Sequence, residues 1–442
     1  MIKRFTLRRI FILMSAAGMV AANHNAMASA FALWEQDTAS IGNYHAGVAA
    51  TANDASTNWY NSAGITRIKN QQLVIGADPV LTDFRFKGTV ANNQIRIPVG
   101  PQSLTAQGGT YNTVPFGHYV APINDCISFG LSVDVPFGLK TEYDKDNFAR
   151  YSATLTQLKV IDVSPSLAYA ITDKLSIGVG PDFQRLTAEL DEIVGAIAPF
   201  LDTSSRNSGS STAWGYHAGA LYQFTPRTRV GVSYHSQVVH HVHGSSRLTG
   251  PIAHGLQGGS QYSGGFRASA TLPPTTSLGL FHSLNPCWDL LAHLSYTQWN
   301  VLTNLALQNV AGIDPIFRLP TNSLVVNIQE HYHNTWNVSL GANYHPNAKW
   351  ILRTGIGYDE SPAHNRFRNL QLPDSDRIAA AVGAMYQVAK TVAIDVGWTH
   401  VFAMNTRINN LTQPFGPELI TTNGSVKSNA DVYGFSVKWD IT

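Results

Sequence analysis

With sixteen histidines and many serines, this chain first raises metal binding and acyl hydrolysis as chemistries to weigh. His235, His240, His241, His243 and His254 crowd one stretch, and histidine-rich tracts can hold metal. No cysteine or carboxylate shares their spacing, so no metal centre and no cofactor is expected there. Acyl hydrolysis needs a serine, a base and an oxyanion site held together. No Gly-x-Ser-x-Gly occurs, and no local pattern pairs a serine with a histidine. A formal net charge of +2 gives no case for nucleic acid or any other strongly charged partner. The elements that would have to carry reactive residues are therefore more informative than the residues alone.

From about residue 71 onward, two-faced apolar segments alternate with connections that are short and long by turns. In Ala213 to Phe224, Trp214, Tyr216, Ala218, Ala220, Tyr222 and Phe224 share one face, and Gly215, His217, Gly219, Leu221 and Gln223 share the other. Trp336, Val338, Leu340, Ala342 and Tyr344 oppose Asn337, Ser339, Gly341, Asn343 and His345. Likewise Trp350, Leu352, Thr354, Ile356 and Tyr358 oppose Ile351, Arg353, Gly355 and Gly357. One face suits lipid, the other a lumen, and aromatics stand at segment ends as an interfacial girdle requires.

The N-terminus reads as an export address. Lys3, Arg4, Arg8 and Arg9 precede an apolar stretch from Ile10 to Val20, and small-x-small sites follow at Ala26-Met27-Ala28 and Ala28-Ser29-Ala30. Residues 1–28 are expected to be a cleaved signal peptide, with cleavage after Ala28 or Ala30; the apolar stretch is too short to span a bilayer as a helix. No later apolar run is long enough either, which excludes a helical membrane protein. Charged residues make up only 13% and hydrophobic ones 44%, with 36 glycines. Water-soluble domains carry about 25% charged residues, so the composition fits a wall facing lipid.

Strands are expected near 71–78, 112–121, 127–135, 157–171, 175–189, 213–224, 229–239, 275–283, 289–299, 335–345, 349–358, 377–387, 392–402 and 431–441, with 80–88 as a possible extra one. The fold class is thus all-β: a 14-stranded antiparallel transmembrane β-barrel in the bacterial outer membrane. Turns such as Pro122-Ile123-Asn124-Asp125, Thr172-Asp173-Lys174 and Pro226-Arg227 follow even-numbered strands, and long Gly/Ser/Asn/Pro-rich loops follow odd ones. Both ends then lie in the periplasm, the bacterial norm. Cys126 and Cys287 fall in turns six strands apart, beyond disulfide reach, so no bridge is expected. Residues 31 to about 65 lack dyad alternation. A bore of some fourteen strands needs water or a stopper, and this segment is expected to fold back into it.

Certain blocks resemble the FadL/TodX family of outer-membrane transporters for hydrophobic compounds. Phe31-Ala-Leu-Trp-Glu-Gln, Ala46-Gly47-Val48-Ala49-Ala50 and the stretch from Asp54 to Ile65 are similar to the family's N-terminal hatch. Pro136 to Tyr143 with Arg150-Tyr151, Trp214 to Phe224, and Trp350 to Phe402 resemble later regions. The resemblance implies a hatch at 29–68 and a barrel at 69–442. One departure is Asn61-Ser62-Ala63-Gly64, where the family usually has Asn-Pro-Ala; losing the proline puts the stiffness of that turn in question. Another is the C-terminus, Trp439-Asp440-Ile441-Thr442, which does not end on an aromatic.

The function implied is passive, non-enzymatic uptake of a long-chain fatty acid or hydrocarbon by a monomer embedded in outer-membrane lipid. Capture would occur on extracellular loops, followed by transfer to a lumen site and release by hatch rearrangement, inward or sideways. Leu190, Ile193, Val194, Ile197, Phe200 and Leu201 recur at helical spacing, which gives either an amphipathic capture helix or a face packed on a neighbouring loop. Phe31 would lie at the hatch tip against the cargo. A buried carboxylate needs a cation; Arg185 and His333 are the candidates, although Arg185 can instead pair with Glu189. A general diffusion porin is the alternative, an outer-membrane lipid hydrolase the remoter one.

Overall fold

A computed structural model describes residues 30–92, 97–98, 105–196, 198–314, 316–317, 319–412 and 419–441; the expected signal peptide lies outside them. The barrel strands are β1 (Gln71–Asn92), β2 (Tyr111–Pro122), β3 (Ile127–Glu142), β4 (Leu155–Ala170), β5 (Leu175–Val194), β6 (Thr203–Thr225), β7 (Thr228–His235), β8 (Thr275–Asn285), β9 (Trp288–Thr297), β10 (Thr335–Asn347), β11 (Trp350–Asp359), β12 (Arg377–Ala389), β13 (Val392–Ala403) and β14 (Ile420–Ile441). Each pairs antiparallel with the next. β14 returns to β1 from Gln71↔Ile441 to Asn92↔Ile420 and closes the cylinder of fourteen strands. Closure leaves no edge in the membrane, which is what lipid demands of a sheet.

The dyad pattern appears as expected. On β6, Trp214 and Phe224 are exposed while His217 and Leu221 are buried; on β10, Trp336, Val338 and Leu340 face out and Asn337, Ser339 and Asn343 face in. Tyr433, Phe435 and Trp439 share the outer face of the last strand. Strand lengths differ from the sequence reading because pairing continues beyond the bilayer. Residues 80–88 are not a separate strand but the upper half of β1, paired with β14. Two connections expected to be loops instead form hairpins, Val238–Thr249 with Ser260–Leu272 and Asn304–Ile313 with Pro320–Gln329, and the first also pairs with the top of β6. Cys126 and Cys287 are exposed free thiols in the β2–β3 and β8–β9 turns.

Residues 30–68 run inside this ring as a plug of three one-turn helices, α1 (Thr38–Ile41), α2 (Val48–Thr51) and α3 (Thr57–Tyr60), and a 3-10 turn at Ser62–Arg67. The helices stay short: left-handed residues at Tyr44, His45, Gly47 and Ala52 bound the first two, and the extended backbone of Asn61 ends the third. Ten wall strands present a glycine to the plug: Gly130, Gly178, Gly219, Gly231, Gly279, Gly341, Gly355, Gly383, Gly397 and Gly434. A Cβ at Gly231 would overlap the carbonyl oxygen of Ala49, and one at Gly355 that of Asn43. The other four strands touch it through side chains: Thr38 donates to Asp78 of β1 (3.1 Å), His118 of β2 bonds the Gln36 carbonyl (2.8 Å), Asn58 donates to the Ser164 carbonyl of β4 (3.2 Å), and His293 of β9 meets Trp34 edge-on (5.6 Å). The interior is thus shaped to backbone contact with the chain's own leading residues.

Asn61 anchors the turn where the proline is missing. Its Oδ1 accepts from Ala63 N (3.1 Å), and its Nδ2 donates to the carbonyls of Ala49 (2.7 Å) and Ala220 (3.0 Å). The cap therefore survives with serine at position 62. Ser62 occupies the first position of the 3-10 turn, where a proline fits and no donor is lost. Ser62→Pro is expected to stiffen the plug by about 0.4–1 kcal/mol, read as roughly two- to fivefold slower amide hydrogen exchange over residues 55–65; unchanged exchange would show the turn to be already rigid.

Candidate functional site

Above the plug the lumen is apolar and aromatic. Phe31 packs edge-on against Trp299 (4.8 Å between ring centroids) and tilted against Phe137 (5.8 Å), and Trp299 meets Tyr332 (5.8 Å). These rings belong to a buried cluster with Phe84, Phe86, Phe148, Leu302, Leu370 and others. Trp299 is fully buried, yet its indole N–H has no hydrogen-bond partner. A buried orphan donor is costly and invites a functional explanation.

The plug tip is held from the side. Ala30 N–H donates to Asp374 Oδ2 (2.9 Å), whose carboxyl also accepts from Ser361 (2.7 Å) and from Arg377 Nη2 (2.8 Å). Burial raises the Asp374 carboxyl above the ordinary range, opposed by Arg377 and these hydrogen bonds. Arg377 is buried and also faces Asp359 (3.4 Å) and lies near Glu35, so one guanidinium serves several carboxylates.

The wall is broken beside this tip. β2 and β3 pair only from Pro122↔Ser128 to Gly117↔Val133. Above Val133 the alternation of β3 fails, residues 134–139 are all buried, and the ladder to β4 slips between Asp134 and Phe137. Pro136 sits in this slip, where a residue without an N–H is tolerated. The plug supplies the missing partner. Leu33 N donates to the Pro136 carbonyl and Gly138 N to the Phe31 carbonyl, both at 2.8 Å, with an Ala32↔Phe137 bridge between them. Gln36 clamps Val135 both ways, donating to its carbonyl (2.7 Å) and accepting from its N–H (2.9 Å). Phe31, a member of the aromatic cluster, therefore also pairs through its carbonyl with the freed edge of β3.

Several residues singled out by sequence land elsewhere. Leu190, Ile193 and Val194 form the end of β5, not a helix, paired with Asn207, Ser204 and Thr203. Gly195, at φ +100°, ends the strand, and Leu190, Val194 and Leu201 pack against the extracellular hairpins. Phe200 is 77% exposed in a short 3-10 turn, and Ile197 lies outside the described residues. Arg185 is not in the lumen: it alternates outward with Phe183, and Glu189 pairs with Arg206 (3.2 Å) instead. His333 bonds the Pro362 carbonyl (2.7 Å) and faces Glu360 (3.6 Å); its neighbour Tyr332 is the residue that reaches Trp299. Phe31 lies at the tip of the plug, and Leu190, Val194 and Leu201 follow the packed-face alternative rather than the capture helix.

The histidine tract disperses because it is extended: His240 turns inward, whereas His241 and His243 face outward. A serine and a histidine do meet, against the sequence expectation. Ser166 Oγ lies 2.8 Å from His217 Nε2, and His217 Nδ1 lies 2.6 Å from Asp182 Oδ1. A nucleophile must be open to its substrate; Ser166 is 3% exposed, so the trio ties strands together rather than presenting a reactive hydroxyl.

A family model described as outer membrane protein transport protein (OMPP1/FadL/TodX) matches residues 19–441. Outer membrane protein P1 of Haemophilus influenzae is 28% identical, over 96% of this chain and 98% of the relative. The long-chain fatty acid transport protein of Salmonella typhi is 27% identical, over 89% and 92%. Among solved structures, a Pseudomonas aeruginosa FadL homologue superposes with a TM-score of 0.82 at 25% identity, covering 93% of this chain and all of the other.

Proposed function

From the premise that the chain belongs to the OMPP1/FadL/TodX family of outer-membrane transport proteins, we propose that it takes up long-chain fatty acids, or other hydrophobic compounds of similar length, passively and without chemistry. Residues 29–68 act as the hatch and 69–442 as the barrel, after removal of the signal peptide 1–28. One copy suffices, since all fourteen strands find partners within the chain. Exposed Phe200, Leu256, Ile316 and Phe317 offer apolar landing points outside.

The observation that carries this reading is the double role of the plug tip, which lines the aromatic chamber through Phe31 and completes β3 through Leu33 and Gln36. A long acyl chain gains roughly 0.8 kcal/mol per buried methylene, so a dozen or so outweigh the few kcal/mol needed to displace Phe31 and its bridge. Displacement frees the edge of β3, and cargo leaves sideways between β2 and β3. The indole N–H of Trp299 offers the cargo's head group one hydrogen bond; it is neutral and supplies no countercharge, and Arg185, which faces outward, supplies none either.

Uptake of labelled sixteen-carbon fatty acid is expected to depend on the protein in cells that otherwise lack such a route. Trp299→Phe should reduce fatty-acid uptake and spare that of a labelled alkane. Equal uptake with and without the protein would refute the reading.

A further inference from the structure

We propose that Asp182, His217 and His235 form a binding site for one divalent transition-metal ion of the zinc class, located where the barrel wall meets the plug. The three come from adjacent strands β5, β6 and β7, with His217 directly opposite His235 in the ladder. Their ligand atoms all lie within 4.8 Å of one another, the one such group of three among the described residues. Imidazole nitrogen with carboxylate oxygen suits zinc and its neighbours, not magnesium or calcium.

The hydrogen bonds around the trio are those of a metal site's outer shell. A carbonyl can only accept, so His235 Nε2, 3.1 Å from the Trp59 carbonyl, must donate to it. Its Nδ1 then faces Asp182 Oδ2 at 3.6 Å. A cation must lie between these two acceptors, either the second ring proton of an imidazolium or a metal ion that displaces it. His217 has Nε2 2.8 Å from the Ser166 hydroxyl, which can accept its proton, and Nδ1 2.6 Å from Asp182 Oδ1, a proton-bridged contact that a metal ion would replace. In metal sites the second ring N–H is typically held by a carbonyl, carboxylate or hydroxyl, fixing the tautomer that leaves the other nitrogen free to ligate. The neighbouring Asp162 is occupied separately by Ser164 and Gln184, both at 2.7 Å, and is not required. Bonds of about 2.0–2.2 Å need only a small widening of the Asp182–His217 contact.

The site has a consequence for the plug. Trp59 belongs to α3, and its ring lies 4.5 Å from that of His235 while its carbonyl receives the His235 N–H. A bound ion fixes His235 and so fastens this part of the plug to the wall.

The test uses the full chain, purified in detergent and stripped with a chelator, titrated calorimetrically with zinc chloride and followed by visible absorption with cobalt(II). One ion per chain is expected, with a cobalt d–d band and no response to magnesium chloride. His217→Ala and His235→Gln should each weaken zinc binding by more than the roughly 10–100-fold that loss of an outer-shell partner costs, and His241→Ala, outside the barrel, should leave it intact. Hydrogen exchange at Trp59 and Tyr60 should slow on adding zinc to the native chain and not to His235→Gln. Failure of the native chain to bind zinc stoichiometrically overturns the proposal, as does binding that survives both histidine substitutions in folded barrels.

Discussion

Arg377→Met is expected to unfasten the plug tip. The guanidinium is buried and faces Asp374 and Asp359 with Glu35 close by, and removing one partner of a buried ion pair costs about 3–5 kcal/mol because the carboxylates lose their cation. Asp374 holds the N–H of Ala30, so the loss passes directly to the segment that carries Phe31, Leu33 and Gln36. That energy corresponds to roughly a 10²–10⁴-fold larger open population. Hydrogen exchange at residues 31–36 should accelerate accordingly while the amides of β10 and β13 stay protected. Unchanged exchange at the tip would mean that the plug is held by packing alone.

Gly231→Val should expel the plug near α2. The side chain has nowhere to go: its Cβ would overlap the Ala49 carbonyl, and β7 is locked between β6 and β8. Overpacking usually costs about 1–3 kcal/mol, and here the softer partner is a helix of a single turn. Ionic conductance in planar bilayers should appear for Gly231→Val and for Gly355→Val. Gly117→Val is the control, since a Cβ there meets only Ile75, at 3.9 Å. Silent barrels for both lumen variants would mean that the wall yields rather than the plug.

The barrel was legible in the chain because lipid imposes a rule on every second residue, as the exposure of Trp214, Trp336 and Trp350 bears out. The plug was legible from the loss of that rule before residue 70. Its seat was not: Gly355 and Gly357 read as lumen-facing, yet what makes them glycines is the Asn43 and Tyr44 backbone and ring brought from some 300 residues earlier. Ile193 and Val194 misled because a helical spacing coincided with β-branched residues that had a strand partner at Thr203 and Ser204. Pro136 gave a local hint of the break in β3, but the partner that fills it is long-range. Trp299 and Tyr332 escaped notice for the same reason, as did the clamp of Gln36 on Val135 and the Asp182–His217–His235 cluster, whose members share no segment.

The bore stoppered by its own N-terminal residues is the claim on which uptake and sideways release both rest. Proteoliposomes carrying the native chain, placed in isotonic arabinose, test it most directly. No swelling is expected from the native protein, and swelling is expected once residues 31–60 are removed from a barrel that still closes. Rapid swelling with the native chain would mean an open water-filled pore and would contradict it.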